Sequence, residues 1–241
     1  MWSMWRFIRK RDIHKEIREI AETYDAVAEG YRFWRGRPWK ISRIAKGRIV
    51  LDLGSGPCVN GLYVAEINNA YVICLDLSKS MAEISRENIS TRRVFGDSLV
   101  ADILHIPLRS SSIDAIIAIA SLHHIPPEEL ENALREISRV IRGGGFLIAT
   151  IWSWRQRRFL LKILWSMIKS LFGLIDYPRR LYVSWRSRRG VYKRLYYLYD
   201  ISEIRKTLLR VRELRIISLG YTSGYRESES SNIYFVAIKL K

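Results

Sequence analysis

Cysteine is almost missing from this chain of 241 residues: Cys58 and Cys74 are the only two. A disulfide-built scaffold is therefore excluded, and the scarcity suggests a reducing cytoplasm or little use for sulfur. No four-ligand Cys/His cluster can be assembled, so no metal site is expected. Long apolar runs are missing too. The longest tract, 159–175, is interrupted by Lys162, Ser166, Lys169, Ser170 and Gly173 at helical steps. That pattern describes an amphipathic helix, not a membrane span. Such a helix covers the core or a partner groove, or lies on a membrane surface; Arg155, Arg157 and Arg158 before it and Arg179 and Arg180 after it suit the surface. Met1-Trp2-Ser3-Met4-Trp5 is apolar, but basic residues follow it and no long apolar stretch does, so a secretory leader is not expected. Repeats and low-complexity stretches are absent.

What is present is a globular composition, 48% hydrophobic and 12% aromatic, which excludes disorder as the main state. The formal charge of +17 is unevenly placed. Residues 1–45 carry 11 Lys+Arg against 6 Asp+Glu, residues 46–150 carry 10 against 12, and residues 151–241 carry 20 against 6. A near-neutral middle with basic flanks fits a small-ligand core with surfaces for a polyanion, or simple solubility. The expected division is an N-terminal helical and aromatic arm, 1–45, and a main domain, 46–241, with a basic amphipathic insertion at about 153–192.

Strands and helices alternate through the middle. Residues 11–29 read as a polar helix. Residues 48–53 are a continuous apolar run ending in Gly54-Ser55-Gly56-Pro57, a buried strand entering a tight turn. A short helix is expected over 59–67, a second strand over 71–77, a helix over 79–88, a weaker strand over 93–100 and a strong one over 113–122. Pro126–Ile141 reads as a helix that Gly143-Gly144-Gly145 ends, with a strand over 146–152. Residues 214–219 and 233–240 are strands with too little chain between them for a crossover helix, so they must pair antiparallel. The fold class expected is α/β: a doubly wound, mostly parallel seven-stranded sheet finished by an antiparallel hairpin.

In such a sheet the ligand lies beyond the carboxyl ends of the strands. The first strand ends in Leu51-Asp52-Leu53-Gly54-Ser55-Gly56, where glycines admit a ligand close to backbone. Asp52 can organise the turn or face a cationic group. Asp76, about 20 residues on, can take both hydroxyls of a ribose. That spacing also fits a nicotinamide site, and the third glycine of either fingerprint is Cys58. Ala101-Asp102 before Ile103-Leu104-His105-Ile106-Pro107-Leu108, Ser112-Ile113-Asp114 opening the fourth strand, and His123-His124 closing it complete the pattern. Together these elements resemble the class I S-adenosylmethionine (AdoMet) methyltransferases. The resemblance implies a cofactor site of Asp52, Gly54, Ser55, Gly56, Asp76, Leu77, Ala101, Asp102, Ile103 and Ser121, with Asp102 at the adenine amino group or serving as a loop cap. Asp114 is read as a structural cap.

Tyr24-Asp25-Ala26-Val27-Ala28, Arg35-Gly36-Arg37-Pro38-Trp39, Ala120-Ser121-Leu122-His123-His124, Arg194 to Tyr199, Gly220-Tyr221 and Asn232 resemble a narrower group. These are the tRNA wobble-uridine carboxymethyl methyltransferases, which esterify 5-carboxymethyluridine. Departures are Ser55, Tyr197 and Ile233 where that family has Cys, His and Trp, and residues 153–192 have no counterpart. A carboxylate is already ionised and nucleophilic at neutral pH, so it needs orientation, not a strong base. Arg35 and Arg194 are the candidate clamps, with phosphate contact or a solvated charge as their other readings. His124 or His123 lines the pocket. Trp39 and Trp152 stack on a flipped base or pack in the core; Tyr196, Tyr197 and Asn232 complete the candidate substrate set. Arg186, Arg188, Arg189 and Lys193 among Trp185 and Tyr192 form a candidate tRNA surface. The resemblance also implies a small zinc-binding activator protein on the edge strand 93–100, though Arg92, Arg93 and Gly96 or the 159–175 helix can protect that edge instead. Two other functions fit the core: a quinone or lipid-like small-molecule methyltransferase at a membrane surface, and a non-catalytic RNA-binding subunit, which the presence of Asp52 and Asp76 disfavours.

Overall fold

The computed structural model describes residues 12–34, 37–175, 177–187, 190–223 and 230–241. Helix α1 (Ile13–Trp34) precedes the sheet. Then follow β1 (Ile49–Leu53), α2 (Val59–Asn68), β2 (Tyr71–Asp76), α3 (Lys79–Arg92), β3 (Gly96–Val100), β4 (Ile113–Ile119), α4 (Leu130–Val140) and β5 (Ile141–Trp152). Helix α5 (Leu160–Leu171) and a hairpin of β6 (Arg180–Ser187) and β7 (Gly190–Tyr197) interrupt the alternation. Helix α6 (Ile201–Arg210), β8 (Leu214–Ser223) and β9 (Ser230–Lys239) end the chain.

One sheet has the order β3-β2-β1-β4-β5-β9-β8. The first five strands pair parallel, β9 runs antiparallel to β5, and β8 antiparallel to β9. The central strands are apolar runs because helices cover both faces; every residue of β4 is buried. On α4, Leu130, Ala133, Leu134, Ile137 and Val140 repeat at helical spacing and all are buried against this core. Asp114 is structural. Its Oδ2 accepts the Arg48 and Ile49 N–H groups where β1 begins, and its Oδ1 pairs with Arg142 at 2.8 Å.

Two boundaries differ from the sequence reading. Helix α4 starts at Leu130, because residues 126–129 form a turn closed by the Glu129 N–H on the Pro126 carbonyl, at 2.9 Å. The glycines 143–145 do not follow a helix end but lie within β5, where the register against β4 slips between Ile113 and Ala115. A Cβ at Gly145 would stand 2.6 Å from Ile141 Cγ2 and 2.7 Å from the Asp114 carbonyl, so the bulge needs glycine. Helix α6 and the β6–β7 hairpin were not anticipated; α6 is announced by its capping box, Asp200 with Glu203.

The expectation that sulfur is little used needs correction: Cys58 and Cys74 form a disulfide. Cys58 stands at the missing third glycine and keeps a glycine-like conformation, φ 59°, ψ 31°. That conformation disfavours a side chain by roughly 1–2 kcal/mol. The covalent tie to β2 offsets it and anchors the turn after β1 to the strand that carries Asp76. A Cys74→Ser variant should lose about 3 kcal/mol of stability, the chain-entropy value for a loop this short. In a Cys58→Gly/Cys74→Ala variant, part of that loss should return, because glycine accepts the backbone conformation. Denaturant titration of the two variants checks this.

Candidate active site

The cleft lies at the carboxyl ends of β1, β2 and β4. Its floor is backbone. Gly54 has φ +61°, and a Cβ there would stand 2.4 Å from the Ser121 Cβ, so the turns after β1 and β4 meet only because position 54 is glycine. Gly56 continues the turn and sends its N–H to Asp76 Oδ2 at 2.8 Å. Asp76 Oδ1 accepts the Ser78 N–H at 2.9 Å. The carboxylate therefore keeps acceptor capacity for a further donor. Burial pushes the Asp76 carboxyl above the usual range, and the Ser78 and Gly56 N–H groups partly counter it.

Among the sequence-chosen cofactor residues, Gly54, Gly56, Asp76, Leu77, Asp102, Ile103 and Ser121 line this cleft. Ser121 Oγ is buried and has no hydrogen-bond partner. Asp102 keeps one oxygen on the Leu104 N–H, at 3.0 Å. Asp52, Ser55 and Ala101 stand behind the lining. Asp52 is buried and accepts the Gly61 N–H at 2.8 Å, so of its two readings the structure supports organising the turn into α2. Ser55 bonds through its N–H to the Leu75 carbonyl, and Ala101 through its N–H to the Asp76 carbonyl.

The far wall comes from α1 through Ile17, Ile20, Ala21, Tyr24 and Tyr31. Sequence reasoning took Tyr24 only as part of a family motif and did not place this helix over the cleft. The signal available was the i, i+7 spacing of Tyr24 and Tyr31. Helix α1 is held there by Asp25, whose Oδ1 accepts Ser78 Oγ at 2.6 Å and the Ser80 N–H at 2.8 Å. In the first turn of α1, Glu16 is buried and accepts Tyr197 Oη and Arg180, both at 2.5 Å.

His124 enters the cleft from the segment after β4. Its Nδ1 faces the Leu195 carbonyl at 2.8 Å, and a carbonyl only accepts, so Nδ1 carries the proton. In the neutral ring Nε2 then accepts from Tyr24 Oη, at 2.8 Å. Burial, with the Tyr196 and Tyr31 hydroxyls nearby, pushes the Tyr24 phenol well above its ordinary value, so it remains a donor. Arg194 is 7% exposed and stands outside the cleft lining, bonded through Nη1 to Tyr31 Oη. Its guanidinium packs over Trp185 at 4.7 Å and Tyr196 at 5.3 Å. Among the described residues no carboxylate pairs with Arg194, and its Nε has no partner.

The remaining choices separate. Trp152, His123 and Tyr196 form one stack, Trp152 to Tyr196 at 4.3 Å and 4°. Tyr196 reaches His124 and Tyr24, so this stack backs the cleft. Tyr197 is fully buried and points to Glu16, which makes it a tie between hairpin and α1 instead of a substrate contact. Trp39 packs against the Val50 and Val64 cluster, outside the cleft. Asn232 accepts from Gln156 at 3.3 Å beside Trp152 in the sheet, also outside the lining. Arg35, Arg188 and Arg189 lie outside the described residues.

These residues fit AdoMet. A half-buried carboxylate with acceptor capacity left over suits a ribose, Asp102 suits an exocyclic amine, and the Ser121 hydroxyl is open to a further partner. Asp76→Ala should weaken AdoMet binding at least tenfold, since each hydrogen bond to a charged group is worth about 1.5–3 kcal/mol. Binding uses the ionised form, and its pKa is raised. Affinity should therefore hold at neutral pH and fall on acidification earlier than an ordinary aspartate would allow. Calorimetry across pH on both proteins tests this, and unchanged affinity in a folded variant contradicts the assignment.

A family model described as a methyltransferase domain matches residues 51–149. The chain is 33% identical over 153 residues to the tRNA (carboxymethyluridine(34)-5-O)-methyltransferase ALKBH8 of Mus musculus, a match covering 61% of this chain and 22% of that protein. The chain thus spans about a fifth of the length of that relative. Among solved structures, a SAM-dependent methyltransferase from Methanosarcina mazei superposes with a TM-score of 0.69 at 15% identity, covering 85% of this chain and 99% of that one. A Haloferax volcanii complex of the Trm112 methyltransferase activator with a methyltransferase matches with a TM-score of 0.64 at 14% identity, covering 92% and 98%. Both structural likenesses are of fold. Residues 51–149 are a methyltransferase domain of the class I AdoMet-dependent fold, in a chain that resembles the tRNA carboxymethyluridine methyltransferases.

Proposed function

We propose that this protein uses AdoMet to methylate the carboxylate of 5-carboxymethyluridine at the tRNA wobble position. The observation that carries the reading is Arg194: a buried cation, without a carboxylate partner among the described residues, bonded to a tyrosine that lines the cleft. A buried unpaired charge is costly, and an anionic substrate group relieves that cost. The 33% identity to a tRNA carboxymethyluridine methyltransferase supports the same substrate class.

AdoMet, when bound, supplies an electrophilic methyl group on a sulfonium. A carboxylate that would accept this methyl is already ionised, so the chain's residues would have no proton to remove. Consequently Tyr24 and His124 serve as orienting groups, not as a base. Tyr24 stays protonated and His124 is fixed by the Leu195 carbonyl, so both present defined polarity to the incoming group. Arg194, through Tyr31, biases the wall toward an anion. The aromatic stack of Trp152, His123 and Tyr196 stiffens the wall. The exposed Arg186 and Lys193 side of the β6–β7 hairpin supplies backbone contacts for tRNA.

The proposal includes an activator partner. Strand β3 is the sheet edge, with Phe95 exposed just before it and Val100 exposed at its end, which suits strand addition by another protein. The Haloferax volcanii complex, of similar fold, pairs its methyltransferase with the Trm112 methyltransferase activator.

Purified protein, alone and with an activator, is incubated with AdoMet and tRNA bearing carboxymethyluridine, and the nucleosides are analysed by mass. Gain of one methyl on that nucleoside is expected. Arg194→Met should raise KM for this tRNA roughly tenfold, because the buried charge that polarises Tyr31 and biases the wall toward an anion is removed, while leaving AdoMet affinity unchanged. Methyl transfer only to a small phenolic or quinone-like acceptor, or an Arg194→Met enzyme with normal KM, overturns the reading.

A further inference from the structure

Helix α5 is the unexplained element of the fold. Within residues 159–171 only Phe159 and Ile163 are buried, packed with Leu181, Tyr196 and Leu198. Apart from the half-buried Ile168, the other large side chains face outward: Leu161 is 83% exposed, Leu164 58%, Trp165 65%, Leu171 85%, and Phe172 just beyond it 75%. The helix therefore packs on the fold through a narrow edge, leaves most of its apolar side chains bare, and does not line the cleft. At 100° per residue Leu164, Ile168, Leu161, Trp165 and Leu171 fall on one apolar arc, bounded on one side by Lys162 and Lys169, and Phe172 follows the helix end. An exposed apolar patch of this breadth marks a binding surface.

Charge identifies the occupant. Residues 153–175 contain five Lys+Arg and no Asp or Glu. Arg179 and Arg180, which the sequence grouped with this segment, are taken by Glu203 and Glu16. Arg155, Arg157, Lys162 and Lys169 remain exposed. A second copy of the chain would bring two wholly basic segments together with no acid to pair them. Nucleic acid answers the cations but not the leucines, tryptophan and phenylalanine. The arc also stands on a convex, single helix, which suits a fluid surface that can close around it. No helix among the described residues is long and apolar enough to cross a membrane, so α5 can lie in an interface but not span one.

We propose that α5 is an interfacial helix that seats the protein on an anionic phospholipid surface. The apolar arc enters the headgroup–acyl boundary, Trp165 sits at its polar edge, and the neighbouring lysines and arginines meet lipid phosphates. This inference is independent of the substrate assigned above.

The test uses the full chain with vesicles of phosphatidylcholine, alone or mixed with phosphatidylglycerol, in co-sedimentation. Binding to the anionic vesicles is expected, with little to the neutral ones. It should weaken as salt rises from about 0.1 M to about 1 M, where screening shortens from ~10 to ~3 Å. Leu161→Ser/Trp165→Ser/Leu171→Ser should reduce anionic-vesicle binding about tenfold or more. These side chains are exposed, so melting temperature and AdoMet affinity should not change. Lys162→Glu/Lys169→Glu should reduce binding without touching the apolar arc. Absence of vesicle binding by the natural chain, or equal binding by the triple variant, overturns the proposal. So does a natural chain that is dimeric and ignores vesicles while the triple variant is monomeric, or a triple variant that loses only tRNA.

Discussion

The contact between Gly54 and Ser121 is the constraint on which the site depends. Parallel pairing of β1 with β4 brings the turns after these strands side by side. They close only because Gly54 has no side chain, since a Cβ would fall 2.4 Å from that of Ser121. From that closure the rest follows. Gly56 is placed to bond Asp76, Asp76 is held at the neighbouring strand end, and Ser121 is turned inward with an unused hydroxyl. The disulfide from Cys58 to Cys74 fixes the same turn to β2 from behind.

A second layer converts this generic cofactor cradle into a particular cleft. Helix α1 crosses the strand ends and is tied by two carboxylates, Asp25 near its middle to the start of α3 and Glu16 in its first turn to Arg180 and Tyr197. The β6–β7 hairpin stacks Trp185 on Tyr31 at 4.9 Å, and Arg194 lies against both rings. The wall opposite the cofactor residues is thus aromatic and hydroxyl-rich with a cation behind it. Buried polar groups of this kind demand partners, and those left over define what a ligand must supply.

The basic C-terminal part serves several purposes that a net charge cannot separate. Arg179 and Arg180 hold secondary-structure elements together through Glu203 and Glu16. Arg158 covers the Trp152 ring at 4.5 Å and bonds Gln156. Arg194 faces inward. Only the remaining cations are available to a polyanion, some on the hairpin and some beside α5.

The sequence by itself determined the sheet. Apolar runs over β1, β2 and β4, the glycine turn, and the two terminal strands too close for a crossover helix dictate a parallel sheet with an antiparallel end, because backbone hydrogen bonding and connection length leave few alternatives. Asp76, Asp102 and the glycines were legible because they sit at fixed distances from strand ends. Tertiary structure decided what distance along the chain does not encode. Tyr24 and His124 are 100 residues apart yet share a hydrogen bond, and Tyr196 and Tyr197 are adjacent yet point to opposite sides, one to the cleft and one to Glu16. Trp39 and Trp152 had equal claims in sequence, and packing alone set Trp152 behind the site and Trp39 in the core. The same holds for α5: its apolar periodicity is visible in the chain, but whether that face is covered depends on neighbours more than a helix away, and in the fold it is left bare.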